Sequence, residues 1–179
     1  MKCAVVGLGG GGGYFGGKVA LKCAGSSDHG VAFIARGAHL AAIREQGLLL
    51  RTVEGESRIV PDLATDAPAA AGPCDFILVC VKEYSLNEAA AAMAPLLHAD
   101  TVVLPLLNGV DISERLKALL PRGRILSGCV YISAFIESPG VVRQVGGSCQ
   151  LFFGPDSGGA EAFHPLETLL KDAGIRAEL

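Results

Sequence analysis

Gly7, Gly9 and Gly12 fit the spacing G-x-G-x-x-G within Val5-Val6-Gly7-Leu8-Gly9-Gly10-Gly11-Gly12-Gly13-Tyr14-Phe15-Gly16. Between a strand and a helix, the three glycines have separate tasks: a tight turn, a close backbone approach to a pyrophosphate, and close packing of helix on strand. The anion then rests on the helix N-terminus, where unpaired N–H groups and the helix dipole favour negative charge. Gly10, Gly11 and Gly13 are surplus to the motif, and glycine loses the most conformational freedom on ordering, so the empty loop is expected to be mobile. Three other residues stand where a ligand of that turn would meet them: Arg36, Lys82 and Asn108. Arg36 is the most informative. An NAD site usually places Asp or Glu after its second strand for the ribose 2′-OH, whereas arginine accommodates a 2′-phosphate, so Arg36 favours NADP. Solvated surface cations at 36 and 82, and ordinary Asn-Gly turn chemistry at 108, are the bland alternatives.

These residues require a frame that brings strand ends together. The apolar run Cys3 to Val6 reads as a buried strand, with a helical pattern resuming at Tyr14. Gly30 to Ala35 reads as a second strand ending in Arg36, and Leu40, Ile43 and Leu48 space a short helix stopped by Gly47. Leu48 to Val53 and Ser57 to Val60 read as two strands around Glu54-Gly55-Glu56, an insert at the sheet edge. Thr65 to Pro73 marks only a boundary. The nearly continuous apolar run Cys74 to Val81 predicts a parallel strand buried on both faces, ending at Lys82.

Ser85-Leu86-Asn87-Glu88 is a capping box opening an Ala-rich helix towards His98, with Pro95 ending it late. Thr101 to Leu107 is the next strand and ends at Asn108-Gly109, after which Asp111 and Glu114 cap a helix stopped by Pro121 and Gly123. Ile125 to Ile136, Val141 to Val145 and Gln150 to Phe153 are β-rich, a last helix carries Leu166, Leu169 and Leu170, and Ile175 to Leu179 reads as a short strand or linker. The fold class is therefore α/β: a Rossmann-type, doubly wound, mostly parallel sheet, with antiparallel strands added at its far side, forming one domain over 1–179. Ligands of such sheets bind beyond the carboxyl ends of the strands, and there the glycine turn, Arg36, Lys82 and Asn108 converge on an edge suited to an anion.

Composition narrows the function classes. Half of the 179 residues are hydrophobic, yet no apolar run approaches the roughly 18 residues of a membrane span. The start Met1-Lys2-Cys3-Ala4-Val5 leads straight into the first strand, which predicts a cytoplasmic protein without a signal peptide. Six cysteines form no C-x-x-C pair and mostly sit in apolar runs, and four scattered histidines lack ligand spacing, so neither a metal site nor disulfides are expected. A net charge of −3 with mixed signs offers no basic stripe, which argues against nucleic acid as a partner.

The chain resembles the N-terminal half of the 2-dehydropantoate 2-reductase (ketopantoate reductase) family. The likeness lies in the glycine stretch 7–16, Ala35-Arg36-Gly37, Val79-Cys80-Val81-Lys82-Glu83-Tyr84, Pro105-Leu106-Leu107-Asn108-Gly109, Gly128 to Ala134, and Pro139-Gly140-Val141-Val142. The resemblance implies NADPH contacts from Gly7, Leu8, Gly9, Gly10, Gly11 and Gly12, from Arg36, Lys82 and Asn108, and from the backbone near Ala134. It implies hydride transfer from NADPH to the keto group of 2-dehydropantoate, giving pantoate for pantothenate and coenzyme A synthesis. In that family a helical C-terminal domain supplies the catalytic lysine and most substrate contacts, so the lysine is expected beyond Leu179, and the chain alone is expected to bind cofactor with little turnover. The 2-oxo acid substrate then belongs to the full-length protein, and an apolar face left by the further domain is expected to let two chains pair. A relative acting on another 2-oxo acid, or a non-catalytic NADP-sensing domain, stands as the alternative. A methyltransferase fits poorly, because its cofactor lacks phosphates and leaves Arg36 idle.

Overall fold

The computed structural model describes residues 1–179. Strand β1 (Lys2–Val6) leads into helix α1 (Gly10–Cys23), followed by β2 (Gly30–Ile34), α2 (Gly37–Gln46), β3 (Leu48–Thr52), β4 (Gly55–Ile59) and β5 (Leu63–Thr65). Then come β6 (Phe76–Val79), α3 (Leu86–Met93), β7 (Val102–Pro105), α4 (Ile112–Leu119), β8 (Arg124–Ile125), β9 (Ser127–Val130) and β10 (Ser133–Ser138). The chain closes with β11 (Val141–Gly146), β12 (Gln150–Gly154), α5 (His164–Asp172) and β13 (Arg176–Glu178).

Six strands form the central sheet in the order β5-β2-β1-β6-β7-β8, and every pairing in it is parallel. Side chains of a strand alternate between its faces, so a parallel sheet covered on both sides divides its apolar residues into two cores. Cys3, Val5, Val31, Phe33, Phe76, Leu78 and Leu104 join the core that includes Phe15 and Val19 of α1 and Leu170 of α5. Their neighbours Ala4, Val6, Ala32, Ile34, Ile77, Val79 and Val103 join the opposite core with Leu86 and Met93 of α3 and Leu116 of α4. This is the doubly wound α/β arrangement that the pattern of apolar runs predicts.

The antiparallel strands lie elsewhere than expected. They form two further sheets, β10-β11-β3-β4 and β13-β12-β9, and do not extend the edge of the central one. The hairpin β3–β4 faces α1, with Leu48, Leu50 and Ile59 closing on Gly17. The edge beside β2 belongs instead to β5, three residues long and too short to show an alternation. Helix α1 begins at Gly10, four residues before the expected Tyr14, because glycines placed in a first turn are bound by packing rather than by propensity. Helix α3 ends at Met93, and Pro95 sits in a following 3₁₀ turn, so His98 lies outside it. Ser85 and Asp111 are the N-caps of α3 and α4, but neither side chain makes a capping hydrogen bond. Cys3, Cys23 and Cys74 are buried, whereas Cys129 is exposed on β9. No helix is long and apolar enough to cross a membrane.

Candidate dinucleotide site

The carboxyl ends of β2, β1, β6 and β7 are aligned by parallel register, with Ile34 opposite Val6, Val6 opposite Val79, and Val79 opposite Pro105. Just beyond them stand Arg36, the glycine turn, Lys82 and Asn108, in that order. Three strand intervals of ~4.8 Å place them along about 14 Å of one edge. The sequence motifs therefore meet on a single ledge.

Gly7 turns the chain with φ +93, a left-handed conformation open to glycine, and its N–H donates to the Ile34 carbonyl at 3.0 Å. Leu8 is 3 % exposed, so its side chain belongs to the core. Gly9 is the N-cap of α1, and the first intrahelical bond runs from Gly13 N–H to Gly9 C=O at 2.8 Å. The amides of Gly10, Gly11 and Gly12 precede that bond and have no intrahelical partner, Gly10 and Gly11 partly exposed and Gly12 buried, and no acidic side chain occupies the first turn.

Each neighbour of this turn explains a different glycine. A Cβ on Gly12 would lie 1.9 Å from the Gly7 carbonyl oxygen, and one on Gly16 would lie 2.6 Å from Val5, so these two lay α1 directly on β1. A Cβ on Gly13 would meet Val142 of β11 at 2.5 Å. At Gly10 it would lie 2.0 Å from the carbonyl oxygen of Ala134, where the β10–β11 register slips in a bulge. Gly9 and Gly11 alone have nothing within 4 Å of such an atom. The surplus glycines do not form a loop: Gly10, Gly11 and Gly13 lie within α1, and Gly10 and Gly13 pack closely on Ala134 and Val142. What remains open, over Gly9 and Gly11, is space beside the first-turn amides of α1, with no protein atom there to exclude a phosphate.

The cations differ in their surroundings. Arg36 is the N-cap residue of α2, and its Nη1 donates to Glu88 Oε1 of α3 at 2.9 Å, with the two side chains 73 % and 69 % exposed. Glu88 therefore leaves the capping role that its spacing from Ser85 suggests. Lys82 is exposed and enters no hydrogen bond or ion pair through its side chain, while the adjacent Glu83 is held by Arg115 of α4 at 2.9 Å. Asn108 is exposed just before Gly109, whose φ of +136 turns the chain away. Beneath the turn, burial pushes the Cys80 thiol up to about 12, so it stays protonated and supplies volume rather than a nucleophile.

Two residues of this region carried no functional signal in the sequence. Glu88 looked like a cap. His39 looked like one of four unrelated histidines, yet its Nδ1 accepts the Gly140 N–H at 3.0 Å, and its enclosed Nε2 faces the Leu8 carbonyl without completing a hydrogen bond. An Nδ1 acceptor requires the proton on Nε2, which fixes the neutral tautomer. Burial lowers the His39 pKa, partly offset by the Leu8 carbonyl. His39 thus ties α2 to the turn of the β10–β11 hairpin, with its Nε2 enclosed beside the glycine turn. That hairpin is fastened in turn by Glu137, whose carboxyl the hydrogen bonds from Arg51 and then Arg143 hold below the usual carboxylate range.

Comparison with known proteins follows the same outline. The family model for ketopantoate reductase PanE/ApbA matches residues 3–158. A 2-dehydropantoate 2-reductase of Mesorhizobium japonicum is 31% identical over 197 residues, covering 99% of this chain and 59% of its own length. An uncharacterized oxidoreductase of Bacillus subtilis, YkpB, is 28% identical over 180 residues, covering 100% of this chain and 56% of its own. The crystal structure of 2-dehydropantoate 2-reductase from Porphyromonas gingivalis superposes with a TM-score of 0.89 at 41% identity, over 99% of this chain and 63% of that one. D-mandelate dehydrogenase, solved with NADH and anilino(oxo)acetate, shares the fold at a TM-score of 0.84 and 24% identity. The chain spans little more than half the length of the curated relatives first matched.

Proposed function

The chain belongs to the ketopantoate reductase family, and on that premise we propose that its sheet edge binds NADP(H) for the reduction of a 2-oxo acid. The observation that carries the reading is the open cradle at Gly9, set on one ledge between Arg36 and the unpaired Lys82. NADPH, when bound, supplies a hydride to the keto carbon of the substrate. The residues of the chain hold and orient it. First-turn amides of Gly10 to Gly12 would hold the pyrophosphate, and Arg36, whose guanidinium can offer two donors where an ammonium cannot, would hold the 2′-phosphate. Lys82 and Asn108, beyond β6 and β7, meet the other half of the dinucleotide together with the backbone at Ala134.

Reduction of a ketone develops negative charge on oxygen, so a proton donor or cation must stand at the carbonyl. Lys82 is the free cation on the ledge, and its part is to hold the cofactor. The donor is assigned to a lysine in the additional length that the relatives have. By this reading residues 1–179 bind NADPH and turn over little, and 2-dehydropantoate, named in the relatives, is the first substrate to test with a full-length protein. Calorimetric titration with NADPH and NADH tests the cofactor assignment. Replacing Arg36 by alanine should weaken NADPH by about 10- to 100-fold, as loss of a charge-assisted contact of ~1.5–3 kcal/mol predicts, and leave NADH nearly unchanged. An equal loss for both cofactors would remove Arg36 from the 2′-phosphate.

A further inference from the structure

We infer that Glu88 is a specificity-determining residue of this ledge: its carboxylate occupies Arg36 when no 2′-phosphate is present and offers itself to the ribose 2′-OH of NADH. The inference rests on the reading of the ledge as a dinucleotide site. Sites of this fold that select NAD carry an acid after the second strand, and those that select NADP carry an arginine. Here the position after β2 is Arg36, and the acid arrives from a different element, the first turn of α3. β2 and β6 flank β1 in the sheet, and α3 follows β6, so the Arg36–Glu88 pair at 2.9 Å crosses over the end of β1. That is the place where the adenosine end of a dinucleotide seated on the glycine turn would lie.

Glu88 has no other hydrogen-bond partner, and Ser85 does not recruit it as a cap. Its only contact of this kind is with the residue that would grip the phosphate. Two consequences follow. NADPH must displace Glu88 from Arg36 and then tolerate a carboxylate close to its extra phosphate, which lowers the preference that Arg36 alone would give. NADH finds in Glu88 an acceptor for its 2′-OH while Arg36 stays neutralised. The ledge is therefore built for both cofactors, with Glu88 setting their ratio.

The test is titration of the 179-residue protein with NADPH and with NADH, before and after Glu88→Gln. An exposed ion pair is worth little, so the expected gain in NADPH affinity is about two- to fivefold. NADH should weaken by a similar factor, and the NADPH:NADH preference should rise about threefold or more. Glu88→Lys should widen it further, and in an Arg36→Ala background Glu88→Gln should no longer improve NADPH through release of the guanidinium. Both side chains are mostly exposed, so melting temperatures should stay close to the parent's. An unchanged preference in both Glu88 variants, with Gly9→Ala still abolishing the binding of either dinucleotide, overturns the inference and leaves the site reading intact. A parent chain that binds neither dinucleotide overturns both.

Discussion

Gly9→Ala separates the ligand-facing part of the glycine turn from the part that holds the fold. Gly9 has φ −69 and ψ −164, extended backbone open to alanine, and its added Cβ would meet no protein atom within 4 Å. At an N-cap alanine is a poorer choice than glycine, by about 1 kcal/mol or less. In a protein of this size that lowers the melting temperature by ~2–4 °C at most. Binding should suffer far more. The methyl group stands in the cradle, and a pyrophosphate pushed outward loses two charge-assisted hydrogen bonds of ~1.5 kcal/mol or more each, weakening NADPH at least about 100-fold. Gly12→Ala should behave in the opposite sense. Its Cβ would lie 1.9 Å from the Gly7 carbonyl oxygen and 3.0 Å from Cys80 Cβ, so α1 must lift from β1. Overpacking of ~1–3 kcal/mol predicts a drop of roughly 2–12 °C. Thermal melts and calorimetric titrations of the two variants decide the matter. A folded Gly9→Ala protein that binds NADPH within about threefold of the parent would falsify the placement of the pyrophosphate, and a Gly9→Ala protein that does not fold would refute the open cradle itself.

The remaining predictions concern the supports of the turn. Gly11→Ala adds a methyl group with no neighbour inside 4 Å in a helical position, so the melting temperature should rise, by up to about 1 kcal/mol of stability. The folded-state pKa of His39 is lowered from 6.5, so its contribution to stability is present above pH 6.5 and is lost as the pH falls below it; pH-dependent melts should show this decline, and His39→Asn, which keeps an acceptor for Gly140 N–H, should flatten it. Glu137→Gln removes the charge that Arg51 and Arg143 share, so its effect on the melting temperature should be seen at neutral pH and shrink in acid, where the parent's carboxyl also becomes neutral.

Much of the ledge was legible because it is written in residues next to apolar runs. Arg36, Lys82 and Asn108 each follow a buried strand, and parallel pairing needs no further information to align them. The glycines were legible only in part. Their motif gives Gly7, Gly9 and Gly12 their tasks, but the reasons for Gly10 and Gly13 are Ala134 and Val142, more than a hundred residues away, which local spacing does not encode. The same holds for β3 and β4. Their alternation marks strands, whereas their placement against α1 depends on β11, a partner that local patterning does not identify. His39 and Glu88 were missed for the opposite reason: each has a plausible local role, and only the tertiary arrangement shows that one holds the turn at Gly140 and the other crosses to Arg36.

The pinning of the glycine run also decides when its entropy is lost. Ordering a backbone residue costs about 1–2 kcal/mol, and more for glycine, so a run that ordered only around its ligand would subtract most of what the pyrophosphate contacts contribute. Here β1, Ala134 and Val142 pack against α1 from Gly10 onward, contacts of the fold itself that do not involve the ligand. The loss is borne by folding. Dinucleotide binding to this turn should accordingly show a small ordering entropy and an association rate set by encounter rather than by loop closure.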